Sequence, residues 1–274
     1  MLALHGITSN ALAWGPVAGE LEGAVTLVAP DLRGRGRSHE LPGPYGMAVH
    51  AGDAVALLDH VGAQAAVIVG HSMGAFVAGV TAVRHPERVT RLVLCDGGVA
   101  LGVPGAREDP EATLERILGP AMARLVRTFP DREAYRDFWR EHPALRGAWS
   151  PALEEHFDHD LRKTAGGFRP AVAIDAVRQD GAELLVDQET TSAARRLPCR
   201  ATLLWASGGL LGESPGMYDA ERLAAAGLDP ERVRVEQVPG ANHYTLLLAA
   251  KGARAVAAAI LAAASATAPA WPAI

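Results

Sequence analysis

One pentapeptide constrains the fold of this chain more strongly than any other segment. The β-branched run Val67–Val69 leads into Gly70-His71-Ser72-Met73-Gly74, and a helical pattern follows directly. A serine in so tight a strand-to-helix turn is held in a strained conformation, and the residues two positions before and after it have no room for a bulky side chain. Glycine at both positions therefore predicts that the Ser72 hydroxyl is exposed at the carboxyl end of a strand.

The 274 residues alternate between short apolar runs and helical patterns. Runs that are apolar along their whole length are typical of strands in a parallel sheet covered on both faces. The alternation predicts an α/β fold with a mostly parallel central sheet and helices on both faces. The predicted strands are Leu2–His5, Val25–Ala29, Ala66–Val69, Arg91–Cys95, Ala201–Ala206 and Val233–Val238. The predicted helices are Val49–Val61, Ala75–Arg84, Tyr218–Ala226 and Tyr244–Ala264.

The alternation stops between Gly97 and Pro198, where the sequence shows helical patterns and no strong strand. We predict that residues 97–198 form a helical cap inserted into a core domain of residues 1–96 and 199–274. The chain end Ser265–Ile274 is rich in alanine and proline and is expected to be a frayed tail. The predicted cap helices are Pro110–Phe129, Asp131–Glu141, Pro151–Lys163 and Val186–Arg195.

Composition excludes several classes of function. Hydrophobic residues make up 49% of the chain and charged residues 21%, which excludes disorder as the main state. The net charge is −5 without a basic tract, so nucleic acid is not an expected partner. Neither a secretory signal nor a membrane span is predicted, because Lys251 and Arg254 interrupt the most apolar stretch. The expectation is a cytoplasmic monomer or homodimer that acts on a small molecule and binds no membrane.

A serine hydroxyl needs a general base to become a nucleophile, and His243 is the histidine best placed to supply it. It follows the predicted strand Val233–Val238 through the turn Pro239-Gly240-Ala241-Asn242, just before the last helix. A loop at the carboxyl end of that strand lies on the same edge of a parallel sheet as Ser72. We therefore predict that His243 acts as the base.

Two backbone amides are candidates for binding a developing oxyanion. Gly6 ends the first strand and permits close approach of the backbone, so the amide of Ile7 can point toward the serine. The amide of Met73 lies at a helix N-terminus, where the helix dipole favours an anion. His5 is expected to be a structural hydrogen-bonding residue.

Taken together, these segments resemble the α/β-hydrolase superfamily. The resemblance is carried in order by His5-Gly6, Pro30–Ser38, Gly70-His71-Ser72-Met73-Gly74 and Gly240-Ala241-Asn242-His243. It implies a serine hydrolase with a helical cap between two core strands. It also implies that two N-terminal strands are missing or shortened here, and that the loop Arg33–Ser38 is mainly structural.

The acid that orients the histidine is where the sequence departs from the family pattern. Many members carry an aspartate after the strand before the last one, but the corresponding loop in Trp205–Leu211 has none. Some relatives take the acid from the end of the preceding strand, where this chain has Asp96. Asp96 is therefore the first candidate for the partner of His243, and Glu213 and Asp219 are alternatives.

The predicted reaction is hydrolysis of a carboxylic ester, lactone or thioester through an acyl-enzyme on Ser72, with no metal or cofactor. The alternatives are C–C bond hydrolysis or cofactor-free perhydrolysis by the same triad, and ligand binding without catalysis. Apolar residues of the cap and the loops facing it predict a small to medium hydrophobic substrate. The candidate substrate-binding residues are Trp14, Phe138, Trp139, Trp149, Phe168, Leu210 and Leu211.

Overall fold

Five parallel strands form the central sheet in a computed structural model, which describes residues 1–266 apart from the side chain of Pro120. Their spatial order is β1-β2-β3-β6-β7, and β4 and β5 form a separate antiparallel hairpin. Residues 267–274, most of the predicted tail, lie outside the described part. The strands are β1 (Leu2–Leu4), β2 (Ala66–His71), β3 (Val89–Cys95), β4 (Leu161–Thr164), β5 (Gly167–Pro170), β6 (Ala201–Gly208) and β7 (Val233–Asn242).

Helices cover both faces of the sheet, which confirms the predicted fold class. Alternate strand residues point to opposite faces. Ile68 therefore packs with α2 and α3, whereas Val67 and Val69 pack with α1 and α11. The helices are α1 (Gly15–Glu20), α2 (Met47–His60), α3 (Met73–Arg84), α4 (Pro110–Val126), α5 (Arg132–Arg140), α6 (Pro151–His159), α7 (Ile174–Val186), α8 (Gln188–Ser192), α9 (Ala220–Ala225), α10 (Thr245–Leu248) and α11 (Ala250–Ser265).

The predicted strand Val25–Ala29 is wrong. Only Val28 forms a bridge, to Leu2, with its N–H donating to the Met1 carbonyl at 2.8 Å. The pairing consists of this bond and of the Ala3 N–H donating to the Val28 carbonyl at 2.8 Å, so it stays a single bridge rather than a ladder. The first strand of the chain therefore has an extended segment beside it instead of a paired strand.

The predicted helix Tyr244–Ala264 is two helices. The backbone at Ala249 is extended, with φ −117° and ψ 148°, and separates α10 from α11. The two helices pack so closely that a Cβ at Gly252 would lie 2.3 Å from the Thr245 carbonyl oxygen. The apolar pattern runs through the break without interruption, so periodicity alone does not reveal it.

Residues 97–198, which we call the β3–β6 segment, contain helices α4–α8 and the hairpin. Two of its features differ from the prediction: the hairpin replaces the end of the predicted helix Pro151–Lys163, and α7 was not predicted. The hairpin depends on Gly167, whose φ is +129° and whose Cβ would lie 2.2 Å from the Phe129 carbonyl oxygen. Long-range backbone pairing therefore overrides the local helical pattern there. The division of the chain into a core and a cap stays a prediction.

Candidate active site

Ser72 lies in a strained turn directly between β2 and α3. Its φ is 54° and its ψ is −122°, a conformation that residues with a side chain rarely adopt. A Cβ on Gly70 would lie 2.1 Å from the Gly74 carbonyl oxygen, and one on Gly74 would lie 2.1 Å from that of Leu4. The Ser72 N–H donates to the Cys95 carbonyl at 2.9 Å, which ties the turn to the end of β3. The two glycines are thus required by close backbone approach.

Gly74→Ala is expected to destabilise the protein by at least about 2 kcal/mol, because the new methyl group meets a backbone carbonyl that cannot move aside cheaply. Gly52→Ala is the matched control, since Gly52 also lies in a helix but a Cβ there meets nothing within 4 Å. That control is expected to be neutral or stabilising by up to about 1 kcal/mol. Urea denaturation of both variants measures the difference. Equal midpoints would contradict the packing described for the turn.

His243 and Asp96 meet at the carboxyl edge of the sheet. His243 follows the end of β7, Asp96 follows the end of β3, and Nδ1 of His243 donates to Oδ2 of Asp96 at 2.6 Å. The other carboxylate oxygen accepts the Ala206 N–H at 3.0 Å. Asp96 is fully buried and has a left-handed φ of 44°. Both of its oxygens are therefore held, and the imidazole is oriented by a fixed carboxylate.

The two alternative acids lie in other interactions. Oε2 of Glu213 accepts the Leu211 N–H at 2.7 Å, within its own loop. Asp219 caps the N-terminus of α9, where its Oδ1 accepts the Arg222 N–H at 2.7 Å. The structure thus places Asp96, and neither of these residues, against the His243 ring.

The two candidate oxyanion amides flank the turn. Met73 is the first residue of α3, so its N–H has no acceptor within the helix. Ile7 follows Gly6, and a Cβ on Gly6 would lie only 3.3 Å from the Ser72 Cβ, which shows how closely this loop approaches the serine. Both amides therefore belong to backbone segments that pass beside the Ser72 side chain.

His5 holds the loop before Ile7 through its ring. Its Nε2 accepts the Leu32 N–H at 2.9 Å, so Nδ1 carries the proton and donates to the Gly6 carbonyl at 2.8 Å. Burial lowers the pKa of His5 to about 4, which keeps the ring neutral. These contacts are those expected of a structural residue.

His71 is a residue of the site that the sequence analysis missed. Its Nε2 donates to the His243 carbonyl at 2.9 Å, and the two rings lie 4.6 Å apart. Burial lowers the pKa of His71 well below its usual value, and the nearby His243 lowers it further, so the ring is neutral. His71 occupies the variable second position of the pentapeptide, and nothing in the local pattern marks it.

A cavity of about 70 Å³ lies over Ser72, and a second of about 120 Å³ adjoins it. Ser72, His71, His243 and Ile7 line the first. Both are lined by a shared group of mostly apolar residues: Leu118, Ala121, Trp139, Leu210 and Tyr244. The space next to the Ser72 side chain is therefore small, and the residues around it are mostly apolar.

The candidate substrate-binding residues separate into two groups. Four of them line a cavity: Trp139 and Leu210 line both, and Phe138 and Leu211 line the second. The other three are absent from both linings: Trp14, Trp149 and Phe168. Their positions explain this. Trp14 is buried in the core, Trp149 stacks on Phe157 and donates to Glu154, and Phe168 pairs through its backbone with Phe129. The sequence analysis did not identify Leu118, Phe157 or Tyr244 among the lining residues.

A buried charged cluster in the β3–β6 segment takes part in both linings, through Asp160 in the first cavity and Arg124 in the second. Arg124 forms an ion pair with Asp160, and the Tyr135 hydroxyl contacts both. Arg124 also donates to the Thr8 carbonyl at 3.2 Å. The pair brings one positive and one negative charge, so this cluster adds no net charge to the surroundings of the cavities.

Residues 1–266 contain neither a candidate metal site nor a candidate membrane span. No group of three or more histidine, cysteine, aspartate or glutamate side chains in this range has a geometry that could hold a metal ion. No helix in the same range is long and apolar enough to cross a membrane.

Comparison with known proteins finds similar sequences among proteins named as a hydrolase or a lipase. Over 199 aligned residues, this chain is 40% identical to 2-hydroxymuconate semialdehyde hydrolase of Pseudomonas putida. The alignment covers 69% of this chain and 63% of that protein. Over 126 aligned residues, this chain is 38% identical to Lipase LipV of Mycobacterium tuberculosis. That alignment covers 45% of this chain and 48% of the relative. The chain thus matches less than two thirds of the length of either relative.

A solved structure shares the fold over most of its length. The crystal structure of E-2-(acetamidomethylene)succinate hydrolase superposes with a TM-score of 0.78 at 24% identity, covering 95% of this chain and 90% of that one. Residues 1–250 match the family described as alpha/beta hydrolase fold. This match confirms the resemblance noted from the sequence: the chain belongs to the alpha/beta hydrolase family.

Proposed function

We propose that this protein is a serine hydrolase that cleaves a small carboxylic ester, lactone or thioester through an acyl-enzyme on Ser72. The observation that carries the proposal is the 2.6 Å hydrogen bond between His243 and Asp96, at the edge of the sheet where the turn presents Ser72. A buried carboxylate that orients an imidazole beside a strained serine is the arrangement that acyl transfer requires.

In the first half of the reaction, Ser72 Oγ attacks the carbonyl carbon while His243 Nε2 accepts the hydroxyl proton. The Nδ1–H of His243 stays hydrogen-bonded to Asp96, which fixes the tautomer with a free Nε2 and stabilises the imidazolium. The proton then passes from Nε2 to the leaving group as its bond to the carbonyl carbon breaks. The products of this half are the acyl-enzyme and the free alcohol or thiol.

The carbonyl oxygen becomes an oxyanion during the attack, and the amides of Ile7 and Met73 are the proposed donors to it. Preformed backbone donors stabilise a developing charge without reorganising, and the dipole of α3 adds to this effect. In the second half, His243 removes a proton from water, which attacks the acyl carbon, and the proton returns to Ser72 as the acid is released. Every proton is accounted for by His243, so the cycle needs no metal or cofactor.

C–C bond hydrolysis by the same residues is the second candidate. It is favoured by the 40% identity with 2-hydroxymuconate semialdehyde hydrolase. Ester and C–C hydrolysis share the attacking serine and differ in the leaving group, which is an alcohol in one and a carbanion in the other. Testing which substrates are cleaved therefore distinguishes the two reactions more directly than the residues of the site do.

The decisive experiment measures kcat/KM for p-nitrophenyl esters, thioesters, lactones and vinylogous 1,5-diketones. We expect turnover of the esters, with kcat/KM highest for acyl chains of about two to four carbons, because the two cavities next to Ser72 are small and mostly apolar. Turnover of the diketones alone would replace the ester proposal by the C–C alternative. No turnover of any class would reject both reactions.

Trp139→Leu is expected to move the preferred acyl chain to longer esters, by about two carbons, since Trp139 lines both cavities and each accommodated methylene contributes roughly 1 kcal/mol or more to discrimination. Phe168→Leu is the matched control, because Phe168 also lies in the β3–β6 segment, packs against Arg132 and lines neither cavity. It is expected to keep the chain-length preference of the wild type. If both variants shifted equally, the chain-length preference would depend on looser packing of the protein as a whole rather than on the size of the cavities.

A further inference from the structure

Arg35 is fully buried and contacts both residues whose amides are proposed to bind the oxyanion. Its Nε donates to the Ile7 carbonyl at 2.9 Å. Its Nη2 lies 3.7 Å from the sulfur of Met73. The guanidinium therefore packs against the Ile7 backbone and the Met73 side chain, on a loop that has no role in the proposed reaction.

The other side of Arg35 contacts α7 of the β3–β6 segment. Nη1 donates to Oδ2 of Asp180 at 2.5 Å, and neither side chain is exposed. Asp180 also accepts hydrogen bonds from His50 Nε2 at 3.0 Å and from the Gly46 N–H at 2.6 Å. The carboxylate is thus held by three donors, and it gives Arg35 a fixed and charge-balanced anchor 145 residues away in the chain.

The Arg35 loop is pressed against α7 by its backbone as well. The Ala173 N–H donates to the Gly34 carbonyl at 2.8 Å, and Arg35 forms an isolated bridge with Val172. A Cβ on Gly34 would lie 2.7 Å from the Cβ of Ala176. The position of the Arg35 guanidinium therefore depends on how α7 packs against this loop.

We propose that Arg35, anchored by Asp180, is a positioning residue for the oxyanion hole. The inference rests on the proposed function. The Ile7 N–H belongs to the peptide whose carbonyl is on Gly6, and that carbonyl accepts hydrogen bonds from His5 Nδ1 at 2.8 Å and from the Ser9 N–H at 3.1 Å. Arg35 donates to the carbonyl of the next peptide, between Ile7 and Thr8, so it fixes the other side of Ile7 and completes the constraint on the orientation of the Ile7 N–H.

Oxyanion donors act only at about 2.7–3.1 Å from the oxygen that they stabilise, so a small rotation of the Ile7 backbone weakens the transition state more than the bound substrate. Arg124 and Asn10 also tie the following residues to the β3–β6 segment, through the Thr8 carbonyl and through His156. These contacts hold the loop beyond Ile7, whereas Arg35 holds Ile7 itself.

The double variant R35M/D180N tests the inference without leaving a buried charge unpaired. Removing both charges together avoids the large cost of breaking one partner of a buried pair. The asparagine amide keeps an acceptor for the Gly46 N–H and a donor toward His50. We expect kcat for the preferred ester to fall about 10- to 100-fold, with KM changed by less than about threefold. Inhibition by a trifluoromethyl ketone of matching chain length should weaken by the same factor as kcat/KM.

R84M/E189Q is the matched control. Arg84 and Glu189 form a bidentate pair between α3 and α8, which also connects the β3–β6 segment to the rest of the chain, but on the surface. That variant is expected to keep the kcat and the inhibition constant of the wild type. R35K retains the positive charge opposite Asp180 but loses the planar fork, so its kcat is expected to fall between those of the wild type and the double variant.

The rate at which a fluorophosphonate labels Ser72, followed by intact mass, provides a readout that needs no known substrate. Phosphonylation also develops negative charge on an oxygen in the oxyanion hole, so its rate should fall in R35M/D180N and not in R84M/E189Q. A wild-type labelling rate and kcat in folded R35M/D180N or R35K would overturn the inference, as would a rise in KM alone. Failure of the wild type itself to react would instead reject the proposed function.

Discussion

Ser72→Ala is expected to lower kcat for ester hydrolysis by about 10⁶-fold, the largest effect of any single substitution that we propose. In the proposed reaction the hydroxyl oxygen forms the acyl-enzyme, and the alanine methyl group cannot replace it. The turn should be preserved, because alanine and serine carry the same Cβ and meet the same strain at a φ of 54°. Circular dichroism and the urea midpoint check the fold, and ester turnover with intact mass after fluorophosphonate treatment measures the loss.

Ser192→Ala is the control for this experiment, since Ser192 lies in α8 and bonds only the Glu189 carbonyl through its hydroxyl. Wild type and the control should both take up one phosphonyl group, and Ser72→Ala should take up none. Ester turnover that persists in Ser72→Ala at more than about one hundredth of the wild-type rate would exclude an acyl-enzyme on Ser72. The cleavage would then proceed by direct attack of water.

Asp96→Asn is expected to lower kcat by about 10⁴-fold with little change in KM. The carboxylate accepts the Nδ1–H of His243, whereas an amide nitrogen in its place donates to Nδ1 and moves the ring proton to Nε2. A histidine protonated at Nε2 cannot accept the proton of Ser72. The bond to the Ala206 N–H needs only an acceptor oxygen, which asparagine also provides, so the fold should be retained.

Glu213→Gln and Asp219→Asn complete this test, since both acids lie in loops away from the His243 ring. Each is expected to keep the wild-type kcat. A collapse of activity in Glu213→Gln, with a near-normal rate in Asp96→Asn, would move the acid to the loop after β6. Progress curves under saturating substrate separate these outcomes without a need for pre-steady-state data.

The parts of the molecule that could be predicted are those encoded by neighbouring residues. The pentapeptide around Ser72 carries its own structural context, and the short runs before Asp96 and His243 identify both residues as lying at the carboxyl ends of strands. In a parallel sheet such ends share one edge, so the sequence alone predicts that the three side chains lie close together. The alternation of apolar runs and helical patterns is likewise local, and it predicts the fold class.

The parts that could not be predicted depend on partners distant in sequence. Nothing near Arg35 or Asp180 indicates that they form a buried pair, and nothing near His71 indicates a bond to the backbone of His243. The aromatic residues show a related difficulty. Trp139 and Trp149 are chemically alike, and only packing decides that the first lines the cavities and the second does not.

The position of Asp96 after β3 has a consequence for how this site could diversify. In a chain whose acid follows the strand before the last one, the same loop must serve both the proton-transfer machinery and the shape of the cavity. Here the loop after β6 holds no member of the Ser72–His243–Asp96 set, yet its Leu210 lines both cavities and its Leu211 lines one. Changes in the length and composition of that loop are therefore uncoupled from the reaction itself. Substitutions in this loop are therefore expected to change substrate selectivity while Ser72, His243 and Asp96 keep their arrangement.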